Sequence, residues 1–341
     1  MWAVRLNNGT LDDQLDTWSP RLRKAFLDAL YIIKDAAQID IIAEMLLRHD
    51  IDGAIKAVGL DPLAFSGFET AIAETFAAGG NFEAARIPAV REPSGHVLKV
   101  LFDIRNPSAE AWLKDYSSQA VVEIVDDQRK GIRAFLTDGM SKGLNPKTVA
   151  LDLVGRVSPV TGKREGGIVG LTSQQEEWSR NYAAELAKSN PNALTRNLRD
   201  KRFDAAVNRA IASGQPIPAG TQTKMVTAYR NRALRYRAET IGRTEALTSL
   251  HQGSHTAMLQ GIAKGQVKVE NVSKIWRSAH DDRVRDTHRA LNGMKVKFSA
   301  DFVSPSGARL AYPGDPSAPA AERIACRCWC EYRVNHFAGL K

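Results

Sequence analysis

The sequence predicts an α+β protein: a mainly helical body followed by a small mixed α/β C-terminal module. Two observations carry this. Apolar residues recur at three- and four-residue spacings up to about residue 250, and from residue 266 the spacing changes to two. A third observation bounds the class. No stretch approaches the ~20 apolar residues that span a bilayer, so no membrane partner is expected.

The helical pattern starts at residues 20–57. Leu22, Phe26, Leu30 and Ile33 form one stripe, Ile39, Ile42, Met45 and Leu46 continue it, and Asp50 and Gly53 punctuate it. Ala54–Val58 and Leu63–Ala78 read as shorter helices, the second ending at Gly79-Gly80. Pro88, Pro93 and Gly95 mark a loop, and Val97, Leu98, Val100 and Leu101 a short strand. Asn106-Pro107-Ser108 opens a helix, and a second amphipathic run spans 118–140, ended by Gly143 and Asn145-Pro146. Lys147–Val154 is helical, and 155–170, with five glycines and Pro159, is a loop or hairpin without the Gly-Lys-Ser/Thr of a phosphate loop. Thr172 is placed to cap the next helix.

Basic helices follow at 199–212 and 222–251, with Val226, Tyr229, Ala233, Tyr236 and Thr240 as the packed stripe of the second. Val267, Val269, Val272 and Ile275-Trp276 suggest strand. Asp282–Leu291 reads as a helix capped by Asp282 and stopped by Gly293, Lys295–Phe298 as a strand, 304–320 as an irregular loop, and Ile324–Val334 as the last strand. The chain divides accordingly into a mostly helical region at 1–118, a helical body with basic helices at 119–250, and a C-terminal module at 251–341.

Net charge is +9, from 47 basic and 38 acidic residues. Residues 1–194 carry 22 basic and 26 acidic side chains, whereas 195–243 carry 11 and 3. That local excess of +8 invites a polyanion, either DNA or an acidic protein surface. The candidate contacts are Arg196, Arg199, Lys201, Arg202, Arg230, Arg232, Arg235 and Arg237. Solvated or internally paired arginines are the alternative.

The three cysteines, Cys326, Cys328 and Cys330, are odd in number and clustered, so reduced thiols fit better than a disulfide framework. The N-terminal stretch lacks an apolar core after a basic patch, so a cytosol-like compartment is expected. On a strand the three thiols share one face, and His288 lies on the preceding helix. His288, Cys326 and Cys328 are therefore candidate zinc ligands, with Asp282, His280 or Cys330 as a fourth. Three buried apolar thiols are the alternative. Catalysis is not expected: Asp281, Asp282, Arg283, Arg285 and His288 alternate along a short helix and face different ways, and no Gly-x-Ser-x-Gly or His-Glu-x-x-His occurs. His49, His96, His251, His255 and His336 read as surface or core residues.

Several blocks together resemble the phage head morphogenesis proteins, minor capsid proteins similar to protein F of phage Mu. They are Arg243-Thr244-Glu245, Trp276, Asp281–Gly293 in the form D-x-R-V-R-x-x-H-x-x-L-x-G, Pro313-Gly314-Asp315-Pro316, and Cys326-Arg327-Cys328. The resemblance covers about residues 120–335, and Arg323-Ile324-Ala325 stands where some members have a His-Pro pair. It implies a structural virion protein in few copies, inside the capsid or at the portal vertex, present in host cytoplasm during assembly. Its implied partners are the portal protein, the major capsid or scaffold protein, and double-stranded DNA. The competing reading is a metal-dependent enzyme carried in the virion, a nuclease or a toxin-like transferase. No Glu-x-Glu follows a strand near the end, as an ADP-ribosylating transferase would need.

Overall fold

The computed structural model describes residues 10–87, 89–91, 94–95 and 97–335. Pro88, Pro93 and His96 of the expected loop, the first nine residues and His336 lie outside them. Most of the described residues are helical, with small antiparallel sheets near the end of the chain, an α+β architecture. No described helix is long and apolar enough to cross a membrane.

The first apolar run is three helices: α1 (Leu11–Ala36), α2 (Ile39–Leu47) and α3 (Ile51–Val58). Helix α1 begins earlier than expected, because Leu11 and Leu15 are also buried. Asp50 caps α3 by accepting the Gly53 N–H at 2.7 Å. Helix α4 (Ser66–Arg86) does not stop at Gly79-Gly80 but runs through both. These glycines serve close packing: a Cβ on Gly79 would lie 2.1 Å from the Leu250 carbonyl oxygen, and one on Gly80 would lie 2.5 Å from the Phe102 ring.

Strands β1 (Val90–Arg91) and β2 (Val97–Leu98) pair antiparallel. The two helices expected after Asn106 are one, α5 (Pro107–Ser141), since no breaker lies between them. Helix α6 (Pro146–Val154) is capped by Asn145, and β3 (Arg156–Val157) and β4 (Arg164–Glu165) form the glycine-rich hairpin. Helix α7 (Ser173–Ala187) begins with a reciprocal cap between Thr172 and Gln175. The basic helices are α8 (Asp204–Ser213) and α9 (Ala219–Ala263), the latter 45 residues long.

The period then changes. Strand β5 (Val272–Ser278) is the centre of a three-stranded antiparallel sheet, flanked by β6 (Lys295–Lys297) and β9 (Cys328–Val334). Between them come α10 (Asp286–Leu291), the pair β7 (Phe302–Val303) and β8 (Arg309–Leu310), and α11 (Ala320–Arg323). The last strand is shorter than expected, and Cys326 precedes it.

The described residues form two compact units, and neither is continuous in sequence: one holds described residues within 10–25, 68–118 and 239–335, the other 26–67 and 119–238. In the first, α4 and α9 touch backbone to backbone, and a Cβ on Gly253 would sit 2.0 Å from the Phe76 carbonyl oxygen. Phe76, Trp112 and Tyr116 stack in sequence, with centroids 5.2 and 4.6 Å apart. The Gln260 amide closes two hydrogen bonds on the Asp103 backbone, at 2.8 and 2.7 Å.

In the second unit the core gathers Tyr182, Leu186, Val207, Ile217, Met225 and Tyr229, with the two tyrosines stacked at 4.7 Å. The stripe expected on α9 is corrected here. Tyr236 is exposed, and Arg237 is buried next to Ala238. Its guanidinium donates to the Gly170 carbonyl at 2.9 Å and pairs with Asp127 at 3.2 Å, which satisfies a charge that burial would otherwise penalise.

Candidate metal centre

Helix α10 is six residues long rather than ten. Residues 281–284 are spent on a turn in which Asp281 accepts the Arg283 N–H, so Arg285, not Asp282, precedes the helix. His288 and Leu291, three apart, form the buried face. Trp276 on β5 is also fully buried and meets the His288 ring edge-on, centroids 5.0 Å apart. Gly293 adopts φ 82° and its N–H bonds the Trp276 carbonyl at 2.8 Å, turning the chain from α10 into β6.

The imidazole is thereby aimed at the cysteines. His288 Nδ1 lies 3.3 Å from Cys326 Sγ and 3.6 Å from Cys328 Sγ. The three donor atoms fall within 4.8 Å of one another, and all three residues are buried. His288 Nε2 lies 2.7 Å from Glu322 Oε2. Glu322 is itself buried and takes hydrogen bonds from the hydroxyls of Thr287 at 3.1 Å, Ser306 at 2.6 Å and Ser304 at 3.3 Å. Asp282, His280 and Cys330 do not join the group. Cys330 faces the core elsewhere, and Asp282 and Arg283 are exposed.

A polar frame fixes the segment that carries the cysteines. Arg285 donates to the carbonyls of Glu322, at 2.7 Å, and Ile324. From α9, Arg243 donates to the Cys326 carbonyl at 3.2 Å, and the Thr244 hydroxyl accepts the Ala325 N–H at 3.0 Å. Glu245 accepts the Tyr116 hydroxyl at 2.5 Å. Asp281 accepts Arg327 Nε at 2.7 Å. These bonds stabilise a non-glycine left-handed residue, Ala325 at φ 52°. In the loop 313–316, Asp315 accepts the N–H groups of Ala311 and Ser317, while the Gly314 carbonyl accepts the Thr248 hydroxyl. Gly314 has φ 80°, and a Cβ there would come within 3.0 Å of Leu247. Pro313 is buried and Pro316 half-buried in the same turn.

The electrostatics fit one negative sulfur in the cluster. Burial opposes ionisation of Cys326, but hydrogen bonding from Cys328 and His288 outweighs it and holds its pKa well below the ordinary thiol value. Cys328 moves the other way, raised by its bond to Cys326 and by burial. Burial also works against the Glu322 charge, yet the Ser306 and Thr287 hydroxyls and the His288 charge leave its carboxyl below its ordinary range. Burial pushes the separate Cys330 thiol up to about 12. Cys326, His288 and Glu322 thus line up as thiol, imidazole and carboxylate, the order of a nucleophilic triad. A nucleophile must meet a substrate, however, and these residues are 1%, 0% and 4% exposed. The arrangement suits an enclosed ion or a packed core better.

The eight basic candidates behave differently from one another. Arg196 pairs with Glu185, and Arg199 with Asp204 at 3.0 Å. Arg202 and Arg232 both pair with the buried Asp200, whose carboxyl the Arg202 guanidinium draws down to about 2. Arg230 donates to Ser179 at 2.9 Å and to the Gly166 carbonyl at 3.3 Å. With Arg237 inside the fold, six of the eight are internally engaged. Lys201 and Arg235 are exposed.

Glu322, Thr287, Ser304 and Ser306 carried no signal in the sequence, since a lone Glu on a four-residue helix has no motif spacing to Cys or His. Thr244 could have been found, because it lies inside the Arg243–Glu245 block. Residues 201–331 match a family described as phage Mu protein F like protein. No curated protein matches the chain, and no solved structure does.

Proposed function

We propose, starting from the match of residues 201–331 to the phage Mu protein F-like family, that this chain is a minor structural protein of a tailed-phage or prophage head. Its work is head assembly near the portal, or packaging and delivery of DNA. The portal protein and the major capsid or scaffold protein are its proposed partners, and the capsid interior or portal vertex its proposed site.

The family match carries this reading, and the use made of the matched residues supports a structural role. Arg243, Thr244, Asp281, Arg285 and Asp315 spend their side chains on backbone groups or on each other's segments. A catalytic set would instead leave charged groups facing a cleft. Contact with DNA would fall to Lys201 and Arg235, with Arg202 beside them, a smaller footprint than the local net charge suggests.

Quantitative mass spectrometry of purified virions and of empty proheads tests the proposal. The chain should be present in both, in far fewer copies than the major capsid protein. Absence from both particles would overturn it.

A further inference from the structure

We infer that His288, Cys326 and Cys328 bind one zinc ion, with Glu322 orienting the imidazole. Zinc bound by sulfur at ~2.3 Å and nitrogen at ~2.0–2.1 Å in tetrahedral array would separate a thiolate from an imidazole nitrogen by roughly 3.5 Å. The distances here are 3.3 and 3.6 Å. The thiols are therefore already placed along two edges of a zinc tetrahedron, without a shift of backbone.

The second observation is independent of the sulfurs. A histidine that binds metal through one nitrogen commonly offers the other to a carboxylate, which fixes the ring. His288 has Nδ1 at the cysteines, and its Nε2 lies within ion-pair distance of Glu322 Oε2, 2.7 Å away. Glu322 is in turn held by three hydroxyls. A merely apolar thiol core would have no need for a buried carboxylate and three donors behind its histidine, since each polar group carries a desolvation penalty.

Two sulfurs and one imidazole select a soft or borderline cation over magnesium, calcium or manganese. Among the described residues no fourth His, Cys, Asp or Glu joins the group. The ion would tie α10 to the segment between α11 and β9, where Ala325 takes its left-handed turn.

The test uses the full chain, purified without chelator and then incubated with zinc and desalted. Elemental analysis should give about one equivalent of zinc per chain, and the Cys326→Ser, Cys328→Ser double variant less than about a tenth of that. Cobalt substitution should produce sulfur-to-metal charge-transfer absorption that the double variant lacks. Glu322→Gln, which keeps the shape of the side chain, should weaken zinc affinity roughly 10–100-fold in competition with a chromophoric chelator. Wild-type protein that is folded by circular dichroism, yet holds under about a tenth of an equivalent and melts identically with and without EDTA, would overturn the inference. So would stoichiometric iron or copper in place of zinc. Equal zinc affinity in Glu322→Gln would overturn the role given to Glu322.

Discussion

His251 Nε2 accepts the backbone N–H of Cys330 at 3.1 Å, while its Nδ1 faces the Leu247 carbonyl at 2.9 Å. Nε2 must therefore be bare and Nδ1 protonated, so the ring is neutral and both nitrogens are used. The histidine sits on α9 and completes the backbone bonding of β9, the strand that follows the cysteines.

Protonation of His251 would put a proton where Cys330 donates. Burial lowers its pKa from 6.5 to about 4. The unfolded chain therefore takes up this proton first as pH falls. His251 stabilises the fold above pH 6.5, and that stability is lost progressively toward pH 4, by about 3 kcal/mol at most. Denaturant midpoints across this range should fall with acid, and less steeply in His251→Gln. Equal slopes would show that His251 is not the group responsible.

Glu83 acts in the opposite direction. Burial raises its pKa to about 8 against an ordinary 4.5. The folded chain keeps a proton that the unfolded chain has released, so its contribution is complete below pH 4.5 and is lost as pH rises through 8. Glu83→Gln should flatten the decline in stability between pH 6.5 and 8, where His251 no longer titrates.

Close packing of α4 on α9 gives a steric prediction. Gly253→Ala should cost about 3 kcal/mol or more, because the new methyl group would meet backbone rather than a movable side chain. Gly220→Ala, in the same helix with open space around it, should be neutral or stabilising by about 0.4–1 kcal/mol. Chemical denaturation of the two variants separates the cases.

Arg285 is predicted to act as a clamp. Its fork spans two carbonyls, those of Glu322 and Ile324, and a lysine has no second arm to do so. Arg285→Lys should cost roughly 1–3 kcal/mol and speed amide hydrogen exchange in residues 320–328. Exchange unchanged there would remove the clamp.

The arginines of α9 should separate by burial. Arg237→Gln abandons the Gly170 carbonyl and Asp127, and should lose about 1–3 kcal/mol of stability. Arg235→Gln should change stability by no more than about 0.5 kcal/mol. A salt-dependent loss of DNA binding in Arg235→Gln would mark that residue as a genuine phosphate contact.

How much of this was legible follows from range. The Thr172 cap, the break at Asn145-Pro146 and the change to period 2 before β5 are local effects of a few neighbouring side chains, and the sequence displays them; that Asn145 also caps the next helix shows only in the structure. The passage of α4 through Gly79-Gly80 depends on a helix far along the chain, and the burial of Arg237 depends on Gly170 and Asp127. Hydropathy places any arginine at a surface, so only the partners reveal the exception. At the candidate metal centre the cysteine spacing and His288 were visible. Glu322 was not, because its importance comes from three hydroxyls brought in by loops.

The bond from Ser254 to the Gly79 carbonyl joins residues 175 positions apart. Residues 68–118 leave the ribosome well before the 239–341 segment with which they form a unit. At ~5–20 residues per second, the α4 face that receives α9 waits many seconds for its partner. Residues 26–67 and 119–238 are complete earlier, so that unit is able to fold first. Chains that have emerged from the ribosome only as far as residue 238 should therefore hold a protease-resistant half and an exposed apolar helix, which makes the interval before the rest of α9 emerges the time of greatest risk of aggregation and of need for a chaperone.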